Sequence, residues 1–530
     1  MLFRSSEPLP TQYFPDYQST VKNQFDGNTC WAFASFSSLE SYLLKNGQPE
    51  YNFSERNMMN NHGHDWGYND GGNSQIAVSY LAKWGGPVYE TDDFDYYPPS
   101  SSTKGYVEKS VRKHVQDVVF ISNKNYDEIK EAIMEYGSVS SSLFWDDNSY
   151  NDTNFSHYYN GTSLKRNHAI TIVGWDNNFS ETDFNITPPS KGAFICKNSW
   201  GTNFGDGGYF YVSYYDKFIG YDNYSFASVE DPFNYDNIYQ HDPLGAVNVI
   251  GYLDVPGTTA WFANVFTASA SENEELSAVS FYTYALNAEY DIYTASSFDG
   301  LNINDANFTH QKSGTIAQKG YHTIKLDIPV SLTANSKFIV AVKLNTPNFN
   351  FQIPIEEYIE DYTTNAVANE GESYIRPDGN YYWEDLSSDG LTNVCLKAFT
   401  DNVSETDVST EYFELLLGDE DITDSQSFAS IGSVTGTLTA NAYLQNQTEA
   451  PLNATLVIAL YETVNGKNIL KNIKFSDQST QTLNLNPDQT KQYTASFDNV
   501  NIADTSNYKL KIMFWNAVVN CKPYLQNIEY

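Results

Sequence analysis

A cysteine, a histidine and an asparagine that lie far apart in the sequence have the residue types that covalent catalysis through a thiol needs. His168 and Asn198 follow Cys30 by 138 and 168 residues. A thiolate attacks a carbonyl carbon, an imidazole takes up and returns the proton, and a side-chain amide orients the imidazole. The order and the first spacing fit a thiol nucleophile with a distant histidine base, and the second spacing is slightly long. The three residues predict acyl transfer through a cysteine.

Cys30 lies at the amino end of a predicted helix. Turn-forming residues 26–28 precede it, and the helical pattern ends by Gly47. Apolar residues recur at helical spacing behind it, namely Ala32, Phe36, Leu39 and Leu43. Unpaired backbone N–H groups and the helix dipole favour an anion there, which predicts a thiol biased toward thiolate. The alternative for a single cysteine is a small buried residue without chemistry.

His168 and Asn198 lie at the ends of two predicted buried strands. An apolar run over 168–174 begins at the histidine, and a second run over 193–197 ends just before the asparagine. Cysteine, histidine and asparagine therefore come in the order that a cysteine nucleophile requires. This order favours the catalytic interpretation of Cys30 over the structural one.

Residues 9 to about 228 resemble a papain-type cysteine peptidase domain. The resemblance rests on the tryptophan directly after the cysteine and on the Asn-Ser-Trp-Gly run at 198–201. It implies four catalytic roles, which are the nucleophile Cys30, the general base and acid His168, the imidazole-orienting Asn198 and the oxyanion-hole donor Gln24.

The same resemblance implies substrate contacts and one departure from the family. The implied substrate-binding residues are Gly71, Gly72, Ala169 and Trp200. Glycines let a peptide backbone approach closely, although a plain turn before the next helix explains the glycine pair equally well. Gly27 and Asn69 replace the family's usual cysteine pair near the nucleophile, so we expect no disulfide at the active site.

Two lobes are expected to position these residues. Helices are predicted over 30–44, 75–84 and 126–136, the last with Asn125 as its cap and Gly137 as its end. Strands are predicted over 139–144, 168–174, 193–197 and 208–215. The resemblance implies a helical lobe and a β-rich lobe with the active cleft between them.

The length of 530 residues predicts about three domains. The predicted fold is an α+β papain-like two-lobe domain at 1–230, an all-β lectin-like sandwich at 231–400, a polar linker at 401–411 and an all-β immunoglobulin-like sandwich at 412–530. In the last domain, strands over 432–443, 454–462, 492–497 and 508–514 alternate around turns at 465–466 and 486–487. It resembles the spacer modules of clostridial extracellular proteins.

Residues 231–400 resemble the lectin-like domain that follows the papain-type domain in clostridial cell-surface cysteine peptidases. Strands are predicted over 237–242, 261–266, 276–284, 290–293, 337–343 and 393–399. Trp261 and the aromatic run 381–383 can stack on a sugar, whereas aromatic side chains in a β domain are more often core. The resemblance implies that acidic loops of this domain can bind calcium, with no ligands identifiable from the sequence. Catalysis itself is expected to need no cofactor.

The composition disfavours several classes of partner. The 66 acidic residues outnumber the 30 lysines and arginines, and the net charge of −36 argues against nucleic acid and anionic membranes. No apolar run reaches the roughly 18 residues of a membrane span. Four cysteines are too few for a disulfide framework, and Cys196, Cys395 and Cys521 are predicted to be core residues.

The amino-terminal segment does not have the features of a secretion signal, because no apolar region follows residues 1–6. Leu9 and Pro10 resemble the start of a mature papain-type domain, and the family implies a prosegment. We therefore expect a signal and a prosegment to be absent from this chain. The domain content implies a secreted or cell-surface protein.

The sequence predicts an extracellular or cell-surface endopeptidase that hydrolyses proteins or peptides, with the β domains used for targeting or spacing. Glycan or a cell-wall component is a further predicted partner. The alternative is a surface adhesin or carbohydrate-binding protein with an inactive papain-like scaffold. Retention of all four catalytic residue types favours the peptidase, since a scaffold does not need them. A peptidoglycan amidase is a third hypothesis, against which the Asn-Ser-Trp-Gly run argues.

Overall fold

The computed structural model describes residues 8–90, 111–402 and 408–515 together with 528–529, apart from short gaps. The gaps are 253, 256, 272, 296–297, 299–302, 351, 390–391, 424–427, 447–451, 465–466, 477–483 and 486–488. The chain divides into two compact units, Met1–Asn402 and Val403–Tyr530.

The amino-terminal part of the first unit contains a helical lobe and a β-rich lobe. Its elements in chain order are β1 (Gln12–Tyr13), α1 (Cys30–Lys45), α2 (Glu55–Asn61), α3 (Ser74–Ala82), β2 (His114–Ile121), α4 (Tyr126–Tyr136), β3 (Val139–Leu143), β4 (Tyr150–Asn151), β5 (Ser156–His157), β6 (His168–Asp176), β7 (Ala193–Lys197), β8 (Tyr209–Ser213) and β9 (Tyr221–Glu230).

Helix α1 forms the centre of the helical lobe. Its predicted apolar stripe is buried, and Phe36 and Leu39 pack in one core with Ile76 and Leu81 of α3. The observed helix begins at Cys30 and ends one residue later than predicted, at Lys45. The prediction that the cysteine opens a buried helix is therefore confirmed.

Helix α4 confirms the predicted start and stop signals. The Asn125 side chain accepts a hydrogen bond from the Glu128 N–H, and Gly137 ends the helix with φ +118°. The helix packs on a second core that includes Ile172 and Phe194 from the strands of the β-rich lobe. The strands that carry the predicted site residues are thus anchored from one face by α4.

The rest of the first unit is all β. Its strands are β10 (Asn237–Tyr239), β11 (Asn248–Ile250), β12 (Thr259–Thr267), β13 (Glu274–Thr283), β14 (Ala288–Ala295), β15 (Thr309–Ile316), β16 (Lys319–Leu332), β17 (Lys337–Asn345), β18 (Ile353–Glu357), β19 (Ser373–Pro377), β20 (Glu384–Asp385), β21 (Thr392–Val394) and β22 (Leu396–Asn402). A core that includes Phe262, Phe281, Phe338 and Leu396 is built from strands of two sheets, as expected for a sandwich.

The single strand predicted over 393–399 is wrong. The chain forms two strands there, β21 and β22, which belong to different sheets and are separated at Cys395. The Cys395 N–H still bonds to the Pro354 carbonyl of β18, the partner of β21, before the chain passes into the other sheet as β22. A continuous apolar run cannot reveal this break, because both strands are buried.

One sheet runs through both halves of the first unit. Its order is β10-β22-β13-β16-β2-β9-β3-β6-β7-β8-β5-β4, with β1 paired to β6. The junction is the antiparallel pair of β16 and β2, where Gly320 lies opposite Val119 and His322 opposite Asp117. The strand β2 has no counterpart among the predicted strands, although it joins the two halves.

The described residues of the second unit form two four-stranded antiparallel sheets and a two-stranded one. Its strands are β23 (Val408–Leu417), β24 (Glu420–Asp421), β25 (Val434–Asn446), β26 (Leu452–Asn453), β27 (Thr455–Val464), β28 (Lys467–Phe475), β29 (Asn484–Leu485), β30 (Thr490–Ile502), β31 (Tyr508–Trp515) and β32 (Ile528–Glu529). Leu438 and Phe497 of one sheet share a core with Leu456 and Phe514 of the other.

Parts of the predicted linker and turns lie outside the described residues. Residues 401–402 and 408–411 belong to strands β22 and β23, whereas 403–407, 465–466 and 486–487 are not described. Cys521 is also outside the described residues. No helix among the described residues is long and apolar enough to cross a membrane.

Candidate active site

The start of α1 and the start of β6 bring Cys30 next to His168. The backbone N–H of Ala169 donates a hydrogen bond to Cys30 Sγ at 3.4 Å. Ala169 directly follows His168 in β6, so the sulfur lies against the strand end that carries the imidazole. Ala169 also lines the cleft around the cysteine.

Asn198 fixes one nitrogen of the imidazole. His168 Nε2 lies 2.8 Å from Asn198 Oδ1, and the same oxygen accepts the Ser199 N–H at 2.8 Å. Because the Ser199 N–H must face an oxygen, His168 Nε2 is the donor of its hydrogen bond. A neutral His168 therefore keeps Nδ1 unprotonated and able to take a proton.

Trp200 covers the histidine ring. The two rings stack with centroids 4.8 Å apart and planes 26° apart, and His168 is only 8% exposed. Trp200 also lines the cleft. Its observed contact is with the imidazole, which shields the bond between His168 and Asn198 from water.

Burial favours the uncharged form of both reacting groups, the Cys30 thiol and the His168 imidazole. It raises the pKa of the Cys30 thiol, against hydrogen bonds from the backbone N–H groups of Ala169, Trp31 and Cys30 that lower this pKa. It lowers the pKa of His168 to about 4, opposed by the bond to Asn198. The backbone N–H groups at the helix end act on the thiol in the predicted direction, but desolvation outweighs them and the pKa of Cys30 is raised.

Gln24 is held beside the helix start by four hydrogen bonds. Its Oε1 accepts the Ser199 hydroxyl at 2.5 Å, and its backbone N–H donates to the Ser199 carbonyl at 2.7 Å. Its Nε2 donates to the Gly27 carbonyl at 2.6 Å, and its own carbonyl accepts the Gly27 N–H at 3.5 Å. The amide has two N–H bonds, so one remains for another acceptor. Gln24 and Cys30 line the same cleft.

A single cleft of about 890 Å³ is lined by seven of the eight predicted site residues. Those residues are Gln24, Cys30, Gly71, Gly72, His168, Ala169 and Trp200, while Asn198 lies behind Trp200 and is buried. The structure thus brings together residues that are up to 176 positions apart in the sequence.

The two glycines of the cleft differ in what they contact. Gly71 has φ +86° and open space around it, whereas a Cβ on Gly72 would lie 2.3 Å from the Trp31 indole. Gly72 is therefore required by the packing of Trp31. Only Gly71 has the open surface that a close approach of another chain needs.

Hydrogen bonding occupies the place of the missing disulfide. The Asn28 side chain donates to the Asn69 carbonyl at 2.6 Å, and the Tyr68 ring lies over Gly27 so closely that no Cβ fits there. Cys30, Cys196 and Cys395 are all free, and the last two are buried, as predicted.

Sequence reasoning missed an aromatic and charged layer beneath the histidine. Trp145 meets Trp200 edge to face at 4.6 Å and stacks on His157 at 5.0 Å. His157 Nδ1 lies 3.2 Å from Asp216 Oδ2, and both side chains are fully buried. His157 also lowers the pKa of His168 through its proximity. The sequence has no signal for this pair, because no spacing rule connects a histidine at 157 with an aspartate at 216.

Asn167 fixes the backbone of this layer. Its side-chain oxygen accepts the Trp145 N–H at 2.6 Å, and its amide nitrogen donates to the Trp145 carbonyl at 3.0 Å. A side-chain amide suits this arrangement, because its oxygen accepts while its nitrogen donates. The residue before the histidine thus positions the tryptophan that supports Trp200.

Of the aromatic residues that were predicted to stack on a sugar, some are buried and some are exposed. Trp261 is only 8% exposed and is covered by Arg376, whereas Tyr382 is 95% exposed. Within the described part of the chain, no group of three or more His, Cys, Asp or Glu side chains lies in an arrangement that could hold a metal ion. Calcium binding therefore stays a prediction.

Comparison with known families identifies both halves of the first unit. The model of the papain family cysteine protease matches residues 15–228, and the model of the lectin-like domain matches residues 238–400. These matches correspond to the two-lobed part and the all-β part that follows it.

Solved structures with both domains are similar to this chain. The clostridial cysteine protease Cwp84 after propeptide cleavage is 30% identical, with a TM-score of 0.66 over 74% of this chain and 99% of that one. A structure of the cysteine protease and lectin-like domains of Cwp84, a surface layer associated protein of Clostridium difficile, is 29% identical with a TM-score of 0.65. It covers 75% of this chain and 90% of that one.

Two curated relatives match a little more than a third of the chain. Testin-2 of Mus musculus is 28% identical over 201 residues, and a cathepsin L-like proteinase of Fasciola hepatica is 27% identical over 202. These matches cover 37% and 36% of this chain. The chain spans 57% of the first relative and 56% of the second, which is little more than half of each.

Proposed function

Because this chain belongs to the papain family of cysteine peptidases and carries a lectin-like domain, we propose that it is an endopeptidase whose nucleophile is Cys30. His168 is the general base and acid, Asn198 orients its imidazole, and Gln24 donates to the oxyanion. The observation that carries the proposal is the chain of hydrogen bonds from Ser199 through Asn198 to His168 Nε2, which leaves Nδ1 free to accept a proton. The neighbouring residue Ala169 holds Cys30 Sγ at the same end of β6.

The first half of the reaction forms a thioester. The thiol proton passes to His168 Nδ1, and the mutual attraction of thiolate and imidazolium offsets the cost that burial imposes on each charge alone. The thiolate attacks the peptide carbonyl, and the resulting oxyanion accepts hydrogen bonds from the Cys30 N–H and Gln24 Nε2. The imidazolium then protonates the leaving amine as the C–N bond breaks.

The second half regenerates the enzyme. Neutral His168 removes a proton from water, and the hydroxide attacks the thioester carbonyl. Collapse of this second oxyanion breaks the C–S bond and releases the carboxylic acid. Throughout, Asn198 holds the ring and Trp200 keeps water from the bond between them.

Active-site labelling tests the assignment of the nucleophile. A thiol-reactive epoxide of the papain-inhibitor type is expected to label the chain once at neutral pH and to abolish peptide hydrolysis. Cys30→Ala removes the label and lowers kcat by about 10⁴-fold or more, since loss of a nucleophile removes the covalent route.

Cys196→Ala is the matched control, because that thiol is buried in β7 and faces no cleft. It should keep both the label and the activity. Failure of the unmodified chain to react with the epoxide would overturn the proposal and favour a binding protein with an inactive scaffold. Release of muropeptides without protein cleavage would favour the amidase.

We propose further that the chain acts outside the cell or on its surface. The support is its similarity to the surface layer associated Cwp84, and we propose glycan or cell-wall material as the target of the lectin-like domain, with calcium in its acidic loops. The second unit is proposed to be an immunoglobulin-like spacer, supported by two antiparallel sheets around one core. Protein fractionation and glycan-array binding test these assignments.

A further inference from the structure

We propose that residues 361–365 of the lectin-like domain complete the peptidase cleft, with Tyr362 as a positioning residue for substrate binding. The inference rests on the proposed function, because it concerns the same cleft. It assigns to the lectin-like domain a part in peptide binding that is separate from targeting.

The hydroxyl of Tyr362 reaches into the peptidase domain. It accepts a hydrogen bond from Asn73 Nδ2 at 2.9 Å and lies 3.3 Å from both Asn73 Oδ1 and Gln75 Oε1. Asn73 Oδ1 also accepts the Ile76 N–H and thereby caps helix α3. The start of α3 is thus fixed from within the peptidase domain and from the lectin-like domain at the same residue.

The backbone beside Tyr362 fixes a tryptophan of the cleft. Trp66 Nε1 donates to the Asp361 carbonyl at 2.9 Å, and the rings of Trp66 and Tyr362 lie 4.8 Å apart. One residue earlier, the Asp65 N–H donates to the Tyr362 carbonyl at 3.0 Å. Trp66 lines the same cleft as Cys30, so its indole is oriented by a carbonyl of another domain.

A third set of contacts extends the junction. The Asp65 carboxylate accepts the Thr364 N–H at 2.9 Å and the Thr364 hydroxyl at 2.6 Å. Asn365 Nδ2 donates to the Gly63 carbonyl at 3.1 Å. Backbone and side-chain groups of residues 361–365 therefore fix the position of residues 63–66 through hydrogen bonds.

The segment held in this way is one wall of the cleft. Trp66, Asp70, Gly71, Gly72 and Asn73 all line it. Residues 67–73 contain one turn, at 68–70, and are otherwise irregular, and within the described part of the chain no disulfide ties them, because the three cysteines there are free. A wall without a helix or strand keeps its shape through the contacts at its two ends. Tyr362 contributes to both, because it contacts Trp66 at one end and Asn73 at the other.

Kinetic comparison of Tyr362 variants tests the inference. Tyr362→Phe removes the hydroxyl contacts and keeps the ring, and Tyr362→Ala removes both. In the full chain, KM for a peptide long enough to span the cleft is expected to rise about threefold in the first variant and about tenfold in the second, which are the losses expected for one or two such contacts. The kcat and the rate of Cys30 alkylation by iodoacetamide should stay within twofold, because neither depends on the wall.

Tyr358→Phe is the matched control, since that tyrosine belongs to the same domain, is 47% exposed and does not line the cleft. Hydrogen exchange over 65–73 should increase in the Tyr362 variants and not in the control. An unchanged KM in folded Tyr362→Ala would overturn the inference, as would a fall in the alkylation rate equal to the fall in kcat/KM. If the unmodified chain shows neither turnover nor epoxide labelling, the proposed function fails instead, and this inference fails with it.

Discussion

Phe25 has an unusual backbone conformation next to the oxyanion-hole donor. Its φ is +53°, which is strained for a bulky side chain. Its N–H donates to Asn23 Oδ1 at 2.9 Å, and its half-exposed ring lines the cleft beside Gln24. Backbone strain of this kind persists where the surrounding structure imposes it. Here the strained conformation of Phe25 places its aromatic ring at the cleft.

Replacing Phe25 by glycine is expected to separate stability from function. Glycine adopts φ +53° without strain, so the free energy of unfolding should stay within about 1 kcal/mol of the original or rise by that amount. KM for peptide substrates should rise severalfold, because the ring no longer contacts the substrate. Urea unfolding and steady-state kinetics measure the two effects.

Phe14→Gly is the control for this prediction. Phe14 is 51% exposed against 50% for Phe25, has no positive φ and packs edge to face on Tyr209. Its replacement should lower stability and leave KM unchanged. A loss of more than about 2 kcal/mol in Phe25→Gly, or an unchanged KM, would contradict the prediction.

At the residue scale, the sequence predicted which residues meet and not how they ionise. The order of Cys30, His168 and Asn198 and the motif around Asn198 were sufficient to place all three at one site. The pKa directions of Cys30 and His168 depend on burial by residues such as Trp145 and Trp200, which come from other loops. Desolvation by distant parts of the chain leaves no local pattern in the sequence.

At the scale of elements, the junction of β2 and β16 decides how the two domains are joined. Gly320 has φ +151°, and a Cβ at this position would lie 1.8 Å from the Val118 carbonyl oxygen. Beside it, His322 Nδ1 lies 3.1 Å from Asp117 Oδ1. The close approach of the two strands therefore requires a residue without a side chain.

Gly320→Ala is expected to weaken both domains together. The methyl group must displace the backbone of β2, and a clash of this kind costs about 2–4 kcal/mol of unfolding free energy. Gly257→Ala is the control, because Gly257 has φ +131° but nothing within 4 Å of its Cβ position. Differential scanning calorimetry should show one shifted transition for Met1–Asn402 in the Gly320 variant. Two separated transitions would contradict a shared sheet.

The elements predicted with success are those with local signals. Helix α4 has a capping asparagine and a terminal glycine, and its bounds were predicted correctly. Strand β2 was missed, because both of its partner strands come much later in the sequence. The partner β9 lies about a hundred residues further on, and β16 lies about two hundred residues further on. The break at Cys395 was missed for the same reason, since the sheet to which each half belongs is decided by distant strands.

At the scale of the whole molecule, buried histidines gather where the peptidase domain meets the lectin-like domain. Burial lowers the pKa of His62 to about 4 and that of His64 to about 3, with Lys83 acting in the same direction and Asp65 opposing it at His64. His64 packs against Tyr362, and Lys83 donates to the His62 carbonyl. On the other side of the junction, burial raises the pKa of Glu356 to about 8.

The free energy of unfolding should therefore fall as the pH decreases from 6.5 to 4. An unfolded histidine takes up its proton near pH 6.5, so the unfolded state binds more protons than the folded state in this window. His64→Gln should reduce the slope by up to about 1.4 kcal/mol per pH unit. The raised pKa of Glu356 changes the free energy of unfolding with pH in the opposite direction. This contribution is the same in the original chain and in His64→Gln, so it cancels when their slopes are compared.

Urea titrations at several pH values measure these slopes. His310→Gln is the control, because the His310 side chain is 47% exposed and lies far from the junction along the chain. Equal slopes for the original chain and His64→Gln would contradict the prediction. So would a slope change of the same size in the control.

The free cysteines have a consequence for the conditions under which this protein can work. A thiolate nucleophile is lost when oxidants convert it to sulfenic and higher acids, and reductants prevent this. In most disulfide-stabilised enzymes the same reductants attack the scaffold. Here Cys30, Cys196 and Cys395 form no disulfide with one another, so a strongly reducing, oxygen-poor medium preserves the nucleophile without loosening the described fold.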